Sequence, residues 1–222
     1  MSFRLRLKYY LVHELNYASK KAAELIAAAK IKINGKIIYE NVIIGDRDEI
    51  KLGEKVIKKK IKFEYYKLNK PVGIESTFHK KIKHNLSSVF PFDESFFIAG
   101  RLDKYSEGLL LISNDGKWVN EISNSKSNKE KEYEVEVEKI IDNIFLKKMR
   151  RGVDIGFYKT KPCGIKKMGK NKFSIILTEG KNKQIKRMCK KLGNKVISLK
   201  RVRIDEFYLT ELQVNTFKGI IM

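Results

Sequence analysis

The chain of 222 residues carries 48 Lys and Arg against 26 Asp and Glu, a formal net charge of +22. That length holds one large domain or two smaller ones, each with a core of its own, and the charge points to a polyanionic partner, nucleic acid first. Two cysteines without a C-x-x-C pair, Cys163 and Cys189, exclude a disulfide framework and a zinc site, and no apolar run approaches a membrane span.

Charge alone is weak support, because AT-rich codon usage enriches lysine together with isoleucine and asparagine. The excess is nevertheless shared along the chain: 15 basic against 7 acidic residues up to Lys62, and 33 against 19 after it. The start MSFRLRLKYYLVHEL lacks an apolar signal core, and His13, His79 and His84 have no ligand spacing. These features predict a reduced, cytoplasmic protein with no membrane partner, no metal and no cofactor.

Leu7 to Leu15 forms a first amphipathic stretch, and Ser19 to Ala29 an alanine-rich helix with Ser19 as its N-cap. Ile31 to Ile38 sets Asn34-Gly35 between two short β-prone runs, the pattern of a tight hairpin. Helix, helix and hairpin fit a compact domain of about sixty residues. Lys58 to Lys62 is either a charged linker or a solvated strand end, and the expected domains are residues 1–60 and 61–222. Further on, β-prone runs fall at Phe63 to Leu68, Phe96 to Ala99, Leu109 to Ser113, Lys131 to Val137, Phe173 to Leu177 and Lys195 to Arg203. Helical patterns fall at Trp118 to Ile122, Ile144 to Arg151 and Lys183 to Leu192. The expected fold class is α+β, a small N-terminal domain followed by a larger one on a mixed sheet.

Three features look chemical. Lys20 and Lys21 stand in the opening turn of a helix, where the macrodipole disfavours each cation by roughly 0.3–1 kcal/mol. They are either tolerated surface residues or, with the free backbone N–H groups, an anion site. In Asn182 to Leu192, ended by Gly193, the residues Ile185, Met188, Cys189 and Leu192 face a core while Lys183, Lys186, Arg187 and Lys190 form a basic stripe. No acidic residue in that helix offsets the stripe, so it calls for a polyanion or a carboxylate from elsewhere. Finally, Ala99 to Gly116 is a polar, Gly-bounded loop between two apolar strands, with Asn114-Asp115-Gly116 as a closing turn. Asp103 in this loop is either a turn-capping residue or a catalytic group on a rigid support.

Around Asp103 the sequence resembles the pseudouridine synthases, whose motif G-R-L-D-x-x-[ST]-x-G-L-L is met by Gly100 to Leu110. Leu68-Asn69-Lys70-Pro71-Val72-Gly73, Lys131-Glu132-Tyr133 and the run Thr178 to Met188 follow in the family's order. The arrangement is similar to the ribosomal RNA branch, above all its large-subunit synthase F type, in which an S4 RNA-binding domain precedes a catalytic domain with a mixed, largely antiparallel sheet. Ser19-Lys20-Lys21 and Asn34-Gly35-Lys36 resemble the S4 pattern, whereas the stretch before Tyr17 and the lack of a glycine after the second helix depart from it.

The resemblance implies Asp103 as nucleophile, Tyr133 as the tyrosine that packs on the base and takes part in removing the C5 proton, and Lys186 as the cation paired with Asp103. Arg187 is the adjacent alternative for that pairing, about 100° round the helix. It further implies RNA contacts by Arg101, which holds the stack vacated by the extruded uridine, and by Leu177 against the base. Lys20, Lys21, Lys36, Lys183 and Arg187 complete the expected RNA-binding set. The implied partner is ribosomal RNA, with transfer RNA as the alternative, and the implied enzyme is a monomer. A non-enzymatic S4-domain RNA-binding or ribosome-assembly protein and a base-excising glycosylase are the rival readings. A mere binding platform has no need of a carboxylate set against phosphate.

Overall fold

The computed structural model describes residues 6–124 and 127–221. Two compact units divide the chain between Lys62 and Phe63.

The first unit comprises α1 (Leu7–His13), α2 (Ser19–Ala27), β1 (Ile31–Ile33), β2 (Lys36–Ile38), β3 (Ile50–Leu52) and β4 (Lys55–Lys58). Its antiparallel sheet runs β2-β1-β3-β4, and Leu7, Leu11, Ala22, Ile26, Ile31 and Ile50 meet in one core. Asn34 (φ +50) and Gly35 (φ +82) take the left-handed conformations that a two-residue hairpin turn requires. Ser19 is the first helical residue rather than the cap: Ala18 holds the cap position and supplies no side-chain bond. At the other end Ala29 adopts φ +56, and the Lys30 N–H donates to Leu25 O at 3.1 Å. Alanine thus fills the left-handed position where glycine is usual. Of the two readings of the lysine run, its start is a strand end: Lys58 closes β4 opposite Ile50, and its Nζ donates to the carbonyls of Gly45, Asp46 and Asp48 at 2.8, 3.2 and 3.0 Å.

The second unit contains β5 (Tyr65–Lys70), a 3-10 turn at Leu86–Ser88, β6 (Phe97–Ala99), β7 (Glu107–Ser113), α3 (Gly116–Ser123), β8 (Lys131–Val137) and α4 (Asn143–Arg150). β9 (Gly164–Lys167), β10 (Lys172–Leu177), α5 (Gln184–Lys191), β11 (Val196–Ile204), β12 (Phe207–Tyr208) and β13 (Phe217–Gly219) complete it. The sheet runs β13-β5-β7-β11-β8-β10-β9, with β6 added to β7 and β12 to β11. Only the β7–β11 pairing is parallel among the described strands, which makes the sheet mixed.

Both faces of the centre are covered. Along β7, Leu110 and Ile112 enter the large core beneath α4 and α5, while Leu109 and Leu111 enter a smaller one with Val119 and Ile122 of α3. A strand buried on two faces reads as a continuous apolar run, as Leu109 to Ile112 does. β8 instead alternates: Tyr133, Val135 and Val137 point into the large core and the glutamates between them point out. Asn114-Asp115-Gly116 is not a simple turn, since the Asp115 carboxylate accepts from the Lys117 and Trp118 N–H groups and starts α3. No helix among the described residues is long and apolar enough to cross a membrane.

Candidate active site

β6 and β7 form a hairpin, Ala99 opposite Leu111, and the connection between them carries Asp103. Its backbone is tied down at several points. The Leu102 N–H donates to Ser76 Oγ at 3.1 Å, and the Ser76 hydroxyl donates back to Leu102 O at 2.7 Å. Within the loop Ser106 N–H donates to Asp103 O at 3.0 Å, a tight turn with Lys104 and Tyr105 at its tip. On the next residue, Lys104 O accepts from Gly73 N–H at 2.8 Å and from Lys70 Nζ at 3.4 Å.

Lys70 itself is fully buried, and its ammonium also donates to Pro71 O and Ile74 O at 2.7 and 2.8 Å. Burial pushes its pKa down to about 8, against the pull of Glu75, Glu107 and Asp103. This lysine fastens the Pro71–Ile74 turn to the Asp103 loop.

The opposing element is α5. Lys186 Nζ lies 3.5 Å from Asp103 Oδ2, with each side chain 28% exposed. Arg187 points elsewhere: it donates to Asn182 Oδ1 at 3.2 Å, and its guanidinium lies 4.9 Å from the centre of the Phe157 ring. Of the two neighbouring cations that the sequence leaves open as partners, Lys186 is the one that meets the aspartate.

The run before α5 is built around a buried carboxylate. Glu179 accepts from Tyr158 Oη at 2.7 Å, Lys161 N–H at 3.0 Å and Gln184 Nε2 at 2.8 Å. Gln184 Oε1 in turn accepts from Lys181 N–H at 3.0 Å. The bond to Glu179 raises the Tyr158 pKa, and Lys181 Nζ sits 4.4 Å from the centre of that ring. Lys183 enters the helix from a left-handed conformation, φ +51, and is exposed.

Tyr133 and Leu177 are buried, 9% and 3% exposed, and Ile175 lies opposite Tyr133 in register on β10. Arg101 is exposed, as are Lys20, Lys21 and Lys36 in the first unit, where Lys21 makes a loose 3.7 Å pair with Glu24. Beneath the loop Arg201 is 1% exposed. Burial lowers the pKa of its guanidinium, and the electrostatic interaction with the neighbouring Tyr133 opposes that shift. Cys163 and Cys189 are raised by burial to about 11 and about 12, so neither thiol is an activated nucleophile.

The structure therefore brings together the aspartate of one motif and the lysine of another, while Tyr133 lies in the large core with Leu102 and Ile185, the neighbours of that pair in sequence. Against known proteins, the profile of the RNA pseudouridylate synthase family matches residues 64–191. The chain belongs to that family. As a pseudouridine synthase it isomerises uridine to pseudouridine within RNA.

The synthase is 34% identical over 219 residues to the dual-specificity RNA pseudouridine synthase RluF of Salmonella typhi, covering 97% of this chain and 75% of that protein. It is 32% identical over 207 residues to the ribosomal large subunit pseudouridine synthase B of Bacillus subtilis, covering 88% of this chain and 84% of that one. A crystal structure of a pseudouridylate synthase superimposes with a TM-score of 0.69 at 27% identity, covering 98% of this chain and 96% of the other.

Sequence reasoning singled out Asp103, Lys186 and Tyr133 but assigned no role to Ser76, Lys70, Glu179, Gln184 or Arg201. Lys70 and the Glu179–Gln184 pair lie inside motifs already quoted. A lysine at an inward position of a strand, or a glutamate ending one, was the available signal. Ser76 and Arg201 carry no such signal, since their partners are backbone groups distant in sequence.

Proposed function

We propose that this synthase modifies a uridine of ribosomal RNA, with Asp103 as nucleophile, Lys186 as the cation that orients it and Tyr133 as the group that receives the C5 proton. The observation that carries the reading is the 3.5 Å approach of Lys186 to Asp103 inside the segment that matches the family. In the reaction the N1–C1′ bond breaks, the uracil turns, and a C5–C1′ bond forms, with the C5 proton lost and N1 reprotonated. A carboxylate suits the first step, because it bonds to a carbon or supports a positive sugar centre and then leaves. Tyr133 lies within the same buried cluster as Leu177, which the reading sets against the other face of the base.

Names of relatives support the substrate class. Besides the B-type enzyme of Bacillus subtilis, a relative in Pseudomonas aeruginosa, 28% identical over 210 residues, is the ribosomal small subunit pseudouridine synthase A. We place an S4-like RNA-binding domain at residues 1–60 and the catalytic domain at 61–222, working as a monomer in the cytoplasm. Lys20, Lys21 and Lys36 of the first domain and Arg101, Lys183 and Arg187 of the second contact RNA in this reading, and transfer RNA is the alternative substrate.

Mapping pseudouridines across ribosomal and transfer RNA of cells lacking the gene, then restoring wild type or Asp103→Asn, tests the whole reading. One uridine should regain its modification with wild type alone. Full restoration by Asp103→Asn removes the nucleophile assignment; no response to wild type favours a non-enzymatic platform.

A further inference from the structure

Arg201 on β11 has surroundings that packing alone does not explain. It is 1% exposed, and among the described residues no carboxylate pairs with it. A buried cation without a counter-charge is costly, and an apolar side chain of similar volume fills such a space at lower cost. Two of its donors go instead to the backbone of one structure. Nε donates to Leu109 O at 2.8 Å, and Nη2 donates to Gly100 O. Gly100 and Leu109 bracket the Asp103 loop, so one side chain fastens the residue where the loop leaves β6 and a residue of β7 just beyond it.

Tyr133 lies directly opposite Arg201 in the β8–β11 register. The backbone enforces the approach. Gly108 pairs with Arg201 across the parallel β7–β11 contact at φ +104, and a Cβ there would stand 2.3 Å from Arg201 O. Only glycine lets the strand after the loop lie so near β11.

We propose that Arg201 is a positioning residue for the isomerisation, a buried guanidinium that locks both ends of the Asp103 loop against the strand position facing Tyr133. The inference rests on the roles proposed above for Asp103 and Tyr133. A planar fork with several fixed donors reaches carbonyls at both ends of the loop at once, which a lysine's point charge does not.

The test uses the full-length protein as wild type, Asp103→Asn, Arg201→Lys and Arg201→Gln, on large-subunit ribosomal RNA transcripts containing 5-tritiated uridine. Tritium release under single turnover at saturating enzyme gives the rate, filter binding of the same RNA gives Kd, and thermal unfolding reports the fold. The expected result is a folded Arg201→Lys protein whose rate falls about a hundredfold, the scale of an ångström of misplacement, while Kd stays within about threefold. Rates within about threefold of wild type, or rate and Kd worsening together, overturn the proposal. If the Lys variant melts, Arg201→Gln is judged by the same criteria, and unfolding of both assigns the side chain to the fold alone and overturns it too. A wild type that releases no more tritium than Asp103→Asn brings down the reading beneath it as well; an active wild type with an unaffected Arg201→Lys brings down this inference only.

Discussion

Lys186 Nζ meets Asp103 Oδ2 at 3.5 Å, joining the connection of the β6–β7 hairpin to the first turn of α5. Both side chains are partly open to solvent, and an ion pair of that kind contributes about 0.2–1 kcal/mol to stability. A cation so early in a helix also works against the macrodipole. The pair is therefore poorly accounted for by stability and well accounted for by the need to orient a carboxylate. Lys186→Met should lower turnover by about a hundredfold or more, as loss of a preorganised electrostatic partner does, with a stability change of about 1 kcal/mol or less. Lys186→Arg should keep most of the rate. Tritium release beside thermal unfolding checks both halves, and a large fall in stability with unchanged turnover would reverse the assignment.

Two neighbours in the loop should respond in opposite ways. Ser106 is 1% exposed and its hydroxyl has no hydrogen-bond partner among the described residues, so Ser106→Ala removes a desolvated polar atom at no loss of a bond. Its unfolding free energy should stay within about 1 kcal/mol of wild type or rise. Gly108→Ala must place a Cβ 2.3 Å from Arg201 O and 2.8 Å from Arg201 N at φ +104, in the middle of the parallel pairing. Backbone strain alone costs about 1–3 kcal/mol there, before any clash is relieved. Urea unfolding of the two variants should differ by several kcal/mol; similar curves would contradict the close approach of β7 to β11.

The contrast between these residues shows what a sequence discloses. Apolar alternation in β8, the continuous run of β7 and the Asn34-Gly35 turn were legible, because each follows from local periodicity or one residue's conformational freedom. The hairpin placed Asp103 correctly for the same reason. Ser19 was misjudged as a cap since a serine ahead of an alanine run satisfies the rule whether or not its hydroxyl meets an N–H group. β12 and β13, in a stretch after Asp205 with little recognisable signal, exist through pairing: Phe217 lies opposite Leu68, and Asn69 N–H donates to Thr216 O at 3.0 Å. The tie from Ser76 to Leu102 and that from Arg201 to Gly100 are likewise long-range products of the fold.

Glu179 offers a buried-network test. It is 5% exposed and accepts three hydrogen bonds, from Tyr158, Lys161 and Gln184. Glu179→Ala leaves the Lys161 N–H and the Gln184 amide without an acceptor and loosens the turn that leads Lys183 into α5. Unpaired buried donors cost about 1–3 kcal/mol each, so the loss should be about 2–5 kcal/mol by chemical denaturation. Tyr158→Phe removes one donor and leaves the other two, and should cost clearly less. Equal losses in both variants would mean that the phenol, not the carboxylate, organises the loop.

Lys70 couples the Asp103 loop to pH. Its pKa is about 8 in the folded chain, because burial disfavours the ammonium, against 10.5 for the free side chain. Between those values the unfolded chain holds the proton and the folded chain releases it, so raising the pH favours folding. The contribution is absent below about pH 8, grows through the window, and reaches about 3 kcal/mol near pH 10.5 at 1.36 kcal/mol per unit. Lys70→Met has no such proton. The stability of wild type minus that of Lys70→Met, from urea unfolding in matched buffers, should therefore increase as the pH is raised from 7.5 to 10.5, other titrations cancelling in the difference. A flat difference would mean that the carbonyls of Pro71, Ile74 and Lys104 hold the ammonium strongly enough to offset its burial. Loss of the same three contacts should slow tritium release by Lys70→Met at every pH, since Lys104 lies beside Asp103 and its carbonyl is held by Lys70 together with the Gly73 N–H of the turn that Lys70 fastens.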